Sequence, residues 1–140
     1  MGLTFDLDVA APAEPLPWLP ARERFTVADD GLNQPWTGLV WCNPPYSAPT
    51  AWCRRWAEHP DGCLLIRADL STGGPSRAFQ AAGAIYVAPK RVQFVSGSGR
   101  PTGAANFSTV LLARGPVACA ALHRLEAHYG GSARSLRAAS

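Results

Sequence analysis

The sequence predicts an α/β fold, a mixed sheet ending in an antiparallel hairpin with helices in the connections. Short strand-like runs alternate with helical stretches along most of the chain. Residues 62–67 read GCLLIR, a continuous apolar run of the kind buried on both faces in a central parallel strand. Two late strand-like runs, 91–95 and 107–113, flank the loop SGSGRPTGAAN and suggest the hairpin. A length of 140 residues suits one domain with one core, and no internal repeat is present.

Taken in order, TFDLDV at 4–9 alternates apolar and polar residues as a strand does. The proline-rich stretch 10–24 predicts a loop, because proline removes donors and blocks helix interiors. RFTVA at 24–28 predicts a second strand and GLVWC at 38–42 a third. PTAWCRRWAE at 49–58 predicts a helix with Trp52 and Trp56 on one face, and both read as packing residues. GPSRAFQAA at 74–82 predicts a short helix with Pro75 near its start. AIYVA at 84–88 is strand-like. The span 116–129 predicts a helix that Pro116 opens and Gly130-Gly131 closes. The basic, small-residue stretch 130–140 is expected to be a flexible tail.

Composition narrows the function classes. The formal net charge of +3 neither demands nor opposes a nucleic-acid partner. No apolar run approaches the roughly 20 residues that span a bilayer, and MGLTFDLDVA lacks the basic flank and apolar stretch of a signal peptide. The four cysteines form no C-x-x-C pair and the three histidines are scattered, so no metal site is expected. Reduced, mostly buried thiols and a cytoplasmic location follow as expectations, the host-cell cytoplasm if the chain is phage-encoded.

Residues 41–46 read WCNPPY. A plain turn needs one proline or a glycine. Two prolines fix φ and remove two backbone donors, so the carbonyls of Asn43 and Pro44 can face outward unpaired. An amide side chain beside such a carbonyl puts two acceptors on one NH2 group. Tyr46 adds a flat face for a ring, and base–aromatic stacking contributes roughly 1–3 kcal/mol. Methyl transfer to an exocyclic amine requires this arrangement, because two acceptors favour a pyramidal nitrogen and relieve its developing charge. A base in a duplex must leave the stack to reach the corner. In an open α/β sheet, ligands bind outside the carboxyl ends of the strands. Asp6, Asp8, Asp29, Asp30 and the Asn43 corner all fall near expected strand ends.

FDLDVAA, DDGLNQPWTGLVWCNPPYS, CLLIRADLST, APKRVQF and NFSTVLLARG, in that order, resemble the phage-type DNA adenine methyltransferase family (Dam-like) over about residues 4–115. The resemblance implies a Rossmann-like methyltransferase fold, S-adenosylmethionine as cofactor, and transfer of its methyl group to the exocyclic amine of adenine in double-stranded DNA. It implies a catalytic corner of Asn43, Pro44, Pro45 and Tyr46. It implies cofactor contacts from Asp6, Asp8, Ala10, Asp29, Asp30 and Asn43. Arg91 and Phe94 match a late Arg-x-x-Phe element. Candidate DNA contacts are Ser47, Arg54, Lys90, Arg91 and Arg100.

The chain departs from the family pattern in three places. It is N-terminally short, Val-Ala-Ala-Pro follows Asp8 where methyltransferases commonly carry a glycine-rich loop, and Arg67 stands where proline is common. Other readings stay open beside the resemblance. Asp29-Asp30-Gly31 is a turn signature in its own right, and Arg54 and Arg55 can form a solvated face. The whole chain can be a non-catalytic DNA- or protein-binding protein, or a methyltransferase acting on RNA or on protein glutamine. A homodimer would double the contact with DNA.

Overall fold

The computed structural model describes residues 2–15, 19–45, 47–89, 93–95, 101–104 and 109–136. Strand β1 (Phe5–Asp8) is followed by β2 (Ala21–Arg24), two 3-10 turns (Val27–Asp29 and Gly31–Asn33) and β3 (Val40–Cys42). Helix α1 (Thr50–Glu58), β4 (Gly62–Arg67), α2 (Gly73–Ala81) and β5 (Ala84–Val87) come next. Then follow β6 (Gln93–Val95), β7 (Pro101–Ala104), β8 (Thr109–Arg114), α3 (Pro116–Tyr129) and β9 (Ser132–Ser135).

Seven strands form one sheet in the order β2-β1-β3-β4-β8-β5-β9, and β6 and β7 pair separately. β1 runs parallel to both β2 and β3, and β3 parallel to β4. β8 is antiparallel to both β4 and β5, and β9 is antiparallel to β5. This mixed sheet with helices between strands is the Rossmann-like, methyltransferase-like arrangement expected.

Both faces of the sheet are covered. On one, Val40, Cys42, Leu64, Ile66 and Leu112 pack with Cys53 and Trp56 of α1 and Ala78 of α2. On the other, Trp41, Cys63, Tyr86 and Ala113 pack with Ala118 and Leu122 of α3. Successive side chains of β4 therefore enter opposite cores, which accounts for its unbroken apolar run. Trp36 and Trp52 stack with ring centroids 6.4 Å apart, and the Arg55 guanidinium lies 4.8 Å from the Trp36 centroid. Arg55 also donates to the Leu32 and Gln34 carbonyls, so α1 is clamped to the 3-10 turns.

Three local expectations are corrected. The second strand is Ala21–Arg24, not 24–28, because Asp29 accepts hydrogen bonds from the Thr26 N–H and hydroxyl and starts a 3-10 turn there. The late hairpin is not formed by residues 91–95 and 107–113. β6 pairs with β7, which lies in the expected loop. β8 enters the main sheet because most of its residues are buried, which an interior position allows and a free hairpin does not. Residues 132–135 form β9 instead of a tail. Gly130 and Gly131, at φ 77° and 80°, turn the chain back, and the Tyr86 hydroxyl donates to the Gly130 carbonyl at 2.9 Å. Residues 137–140 lie outside the described residues.

At the end of β8, Arg114 donates to the carbonyls of Ala57 and His59, both at 2.7 Å, and of Ala81 at 3.0 Å. A cation there satisfies the carboxyl-terminal carbonyls of α1 and α2 and suits both helix dipoles. Arg114→Met keeps the stem and removes every donor. Urea unfolding is expected to show a loss of about 2–4 kcal/mol, from partly buried carbonyls left without partners.

Candidate functional site

The order of the sheet reverses at β1, since the chain moves outward to β2 and then returns across β1 to form β3. At such a switch point the carboxyl ends of neighbouring parallel strands open a crevice. Asp8 ends β1 and is in register with Trp41 of β3, so Asp8 and the Asn43 corner occupy adjacent strand ends.

Asp8 is 3% exposed. Burial pushes its carboxyl from the usual 3.8 up to about 6, opposed by the Ala10 N–H at 3.4 Å and the nearby Arg24 guanidinium. Arg24 also donates to the Pro12 carbonyl, which ties the end of β2 to the connection after β1. The Val9 N–H donates to the Trp41 carbonyl at 3.1 Å and the Ala11 N–H to the Phe25 carbonyl at 2.8 Å. The amides of residues 9–11 are thus spoken for, and this turn is no anion cradle. Gly31 seats the 3-10 turns against it, since a Cβ there would stand 2.1 Å from the Val9 carbonyl oxygen.

At the corner, Pro44 is fully buried and Pro45 exposed. The Asn43 Oδ1 atom is buried and, among the described residues, accepts no hydrogen bond. Among the described residues, the Asn43 and Pro44 carbonyls also accept none, whereas the Pro45 carbonyl accepts from the Ala48 N–H at 3.2 Å. A buried orphan acceptor is costly unless something arrives to pair with it. The Thr109 hydroxyl is a second such group. Thr109 pairs with Arg67 at the carboxyl end of β4, so it lies at the same end of the sheet as the corner. Trp56 Nε1, a donor on the core-facing side of α1, is also buried without a partner among the described residues.

The remaining expected site residues separate into groups. Asp6 Oδ2 accepts the Leu39 N–H at 2.7 Å, which ties β1 to the start of β3, and its Oδ1 lies 3.9 Å from Arg22. Asp29 and Asp30 are exposed and engaged within their turn, Asp29 with Thr26 and Asp30 with the Asn33 amide at 2.6 Å. Each uses Oδ2 for these bonds. Ala10 is half-buried beside Asp8, and Ser47 and Arg54 are exposed. Tyr46, Lys90, Arg91 and Arg100 lie outside the described residues, and of Phe94 only its place in β6 is described. Sequence reasoning missed Arg24 and Thr109. Their only signal is position at a strand terminus, which becomes informative once the pairing is known.

The cysteines form no reactive cluster. Burial pushes Cys53 up to about 11 and Cys63 up to about 12, and holds Cys42 well above the usual thiol range. They are core residues rather than nucleophiles. Among the described residues no group of three or more His, Cys, Asp or Glu side chains could hold a metal ion, and no helix is long and apolar enough to cross a membrane.

A raised Asp8 carboxyl has a signed consequence. The fold favours its neutral form, so its contribution to stability is most favourable below about pH 4 and declines as pH rises to about 6. Above that, the penalty is on the order of 3 kcal/mol. Asp8→Asn removes it. Denaturant titrations at pH 4 and pH 7 are expected to show the variant gaining on the parent by about that amount at the higher pH.

The family model described as DNA N-6-adenine-methyltransferase (Dam) matches residues 1–117. No curated protein and no solved structure gives a match.

Proposed function

Because the chain belongs to the DNA N-6-adenine-methyltransferase (Dam) family, we propose that the crevice between β1 and β3 binds S-adenosylmethionine and that the Asn43 corner holds a flipped adenine for methylation. The buried Asn43 Oδ1 and the Pro44 carbonyl, both without a hydrogen-bond partner among the described residues, carry this reading. Both are acceptors, and the adenine amine offers two N–H donors.

S-adenosylmethionine, when bound, supplies an electrophilic methyl group. The donor set fits it. Asp8 offers a buried carboxylate for an ammonium group, Ala10 lies beside it, and Asp29 and Asp30 each keep one oxygen for a ribose hydroxyl. The engaged amides of residues 9–11 fit as well, since this cofactor carries no phosphate to cradle.

The protein's own groups then act on the amine. Asn43 and Pro44 accept its two N–H bonds and draw the lone pair out of conjugation with the ring. They also take up positive charge as it develops on nitrogen, so they bind the transition state more tightly than the ground state. Tyr46 is proposed as the stacking face, and Ser47, Lys90, Arg91 and Arg100 as contacts to the duplex.

Tritium transfer from labelled S-adenosylmethionine to unmethylated duplex DNA, RNA and protein tests this reading. Label is expected in DNA, on the adenine amine. Asn43→Ala is expected to lower the rate by about 10²–10³-fold, as loss of one transition-state hydrogen-bonding group does elsewhere. Label in RNA or protein alone would overturn the DNA assignment.

A further inference from the structure

Helices α1 and α2 meet backbone to backbone at their first turns, since a Cβ on Gly74 would stand 2.6 Å from the Thr50 Cα. Between them is an open cavity of about 410 Å³. Arg54 and Glu58 of α1 line it, together with Ser71 from the connection that leaves β4, and Ser76 and Arg77 of α2. α1 follows β3 and α2 follows β4, so both helices start at the carboxyl end of the sheet, where the Asn43 corner lies.

Most of the described arginines already have partners. Arg24, Arg55 and Arg114 bind backbone carbonyls, Arg22 lies by Asp6, Arg134 pairs with Glu126, and Arg67 and Arg124 are also engaged. Arg54 and Arg77 have no hydrogen bond or ion pair among the described residues, and the two face one cavity. Glu58 is one helical turn beyond Arg54, away from the strand ends, and pairs with neither. Two guanidinium groups without a hydrogen bond or ion pair among the described residues, with the Ser76 hydroxyl beside them, suit an anion with several acceptor oxygens, while the Ser71 hydroxyl donates to Asp69 at 2.7 Å.

We infer that this cleft binds a backbone phosphate of the DNA strand whose base enters the Asn43 corner. The inference rests on the function proposed above. An open cleft between two helices that start at the corner's end of the sheet suits a polymer passing across the surface, and a phosphate held there fixes the register of the strand while carrying no sequence information. The site adds Arg77 and the Ser76 hydroxyl to Arg54, for which the sequence also left a solvated face open.

The test is fluorescence anisotropy of a labelled unmethylated duplex between 50 and 200 mM salt, roughly the range over which phosphate contacts are lost. The parent is compared with Arg54→Gln/Arg77→Gln, with Arg54→Lys/Arg77→Lys, and with Arg22→Gln/Arg134→Gln, which removes equal charge elsewhere. Both cleft arginines are exposed, so the fold should survive, and circular dichroism checks that it does. The glutamine cleft variant is expected to bind about tenfold more weakly, with the slope of log K against log salt smaller by about one, as loss of one phosphate contact requires. The lysine variant should keep most of the slope and the control should keep all of it. An unchanged slope in the glutamine cleft variant, or an equal loss in the control, overturns the cleft and leaves the proposed function standing. A parent that binds no duplex removes both.

Discussion

Between β1 and β3 a carboxylate, a left-handed glycine and a backbone N–H meet. Asp6 Oδ2 accepts from Leu39 N at 2.7 Å, and Gly38, at φ 71°, turns the chain so closely past that carboxylate that a Cβ would stand 2.3 Å from it. A charge-assisted bond of this kind fixes where β3 begins against β1. Side chains alternate along a strand, so a slip of one residue would turn Val40 and Cys42 out of their core. It would also carry the Asn43 corner out of step with Asp8. The residue that resembled a cofactor ligand thus sets the geometry in which two other groups become neighbours.

Away from the strand ends, polar groups are well satisfied. Arg114 serves three carbonyls of two helices, and Arg55 binds two carbonyls beneath the stacked Trp36 and Trp52. Apart from Trp56 Nε1 in the core, the exceptions among the described residues lie toward one end of the sheet. Asp8 is a buried carboxylate held at a cost in stability, and the Asn43 amide oxygen and Thr109 hydroxyl are buried without partners. Local rules broken near strand ends are often kept for binding rather than for folding, which supports the reading proposed above.

Much of this was legible in the sequence, for definite reasons. β4 and α3 begin and end where apolar continuity and the Pro116 and Gly130 punctuation put them. The corner stood out because two prolines remove donors that an ordinary turn would keep. What was hidden depends on partners distant in sequence. Nothing local says that Asp6 will meet Leu39, that Arg24 will face Asp8, or that Arg54 and Arg77 will share a cleft. β9 was hidden because SARS has only Ala133 to bury, and its place is set by the open edge of β5. The second strand was misplaced because Asp29 caps a turn in a stretch whose composition suits a strand.

The proposed cofactor site lies at the ends of β1 and β3, with Asp8 facing the ligand and Asp6 Oδ2 holding the two strands together. Calorimetric titration with S-adenosylmethionine of the parent, Asp8→Asn and Asp6→Asn tests it most directly. The account predicts one site per chain in the parent. It predicts roughly 10–100-fold weaker binding in Asp8→Asn, since a hydrogen bond to a charged group contributes about 1.5–3 kcal/mol. Asp6→Asn should lose stability and keep its affinity. Binding that Asp8→Asn leaves unchanged, or no binding at millimolar cofactor, would contradict the account.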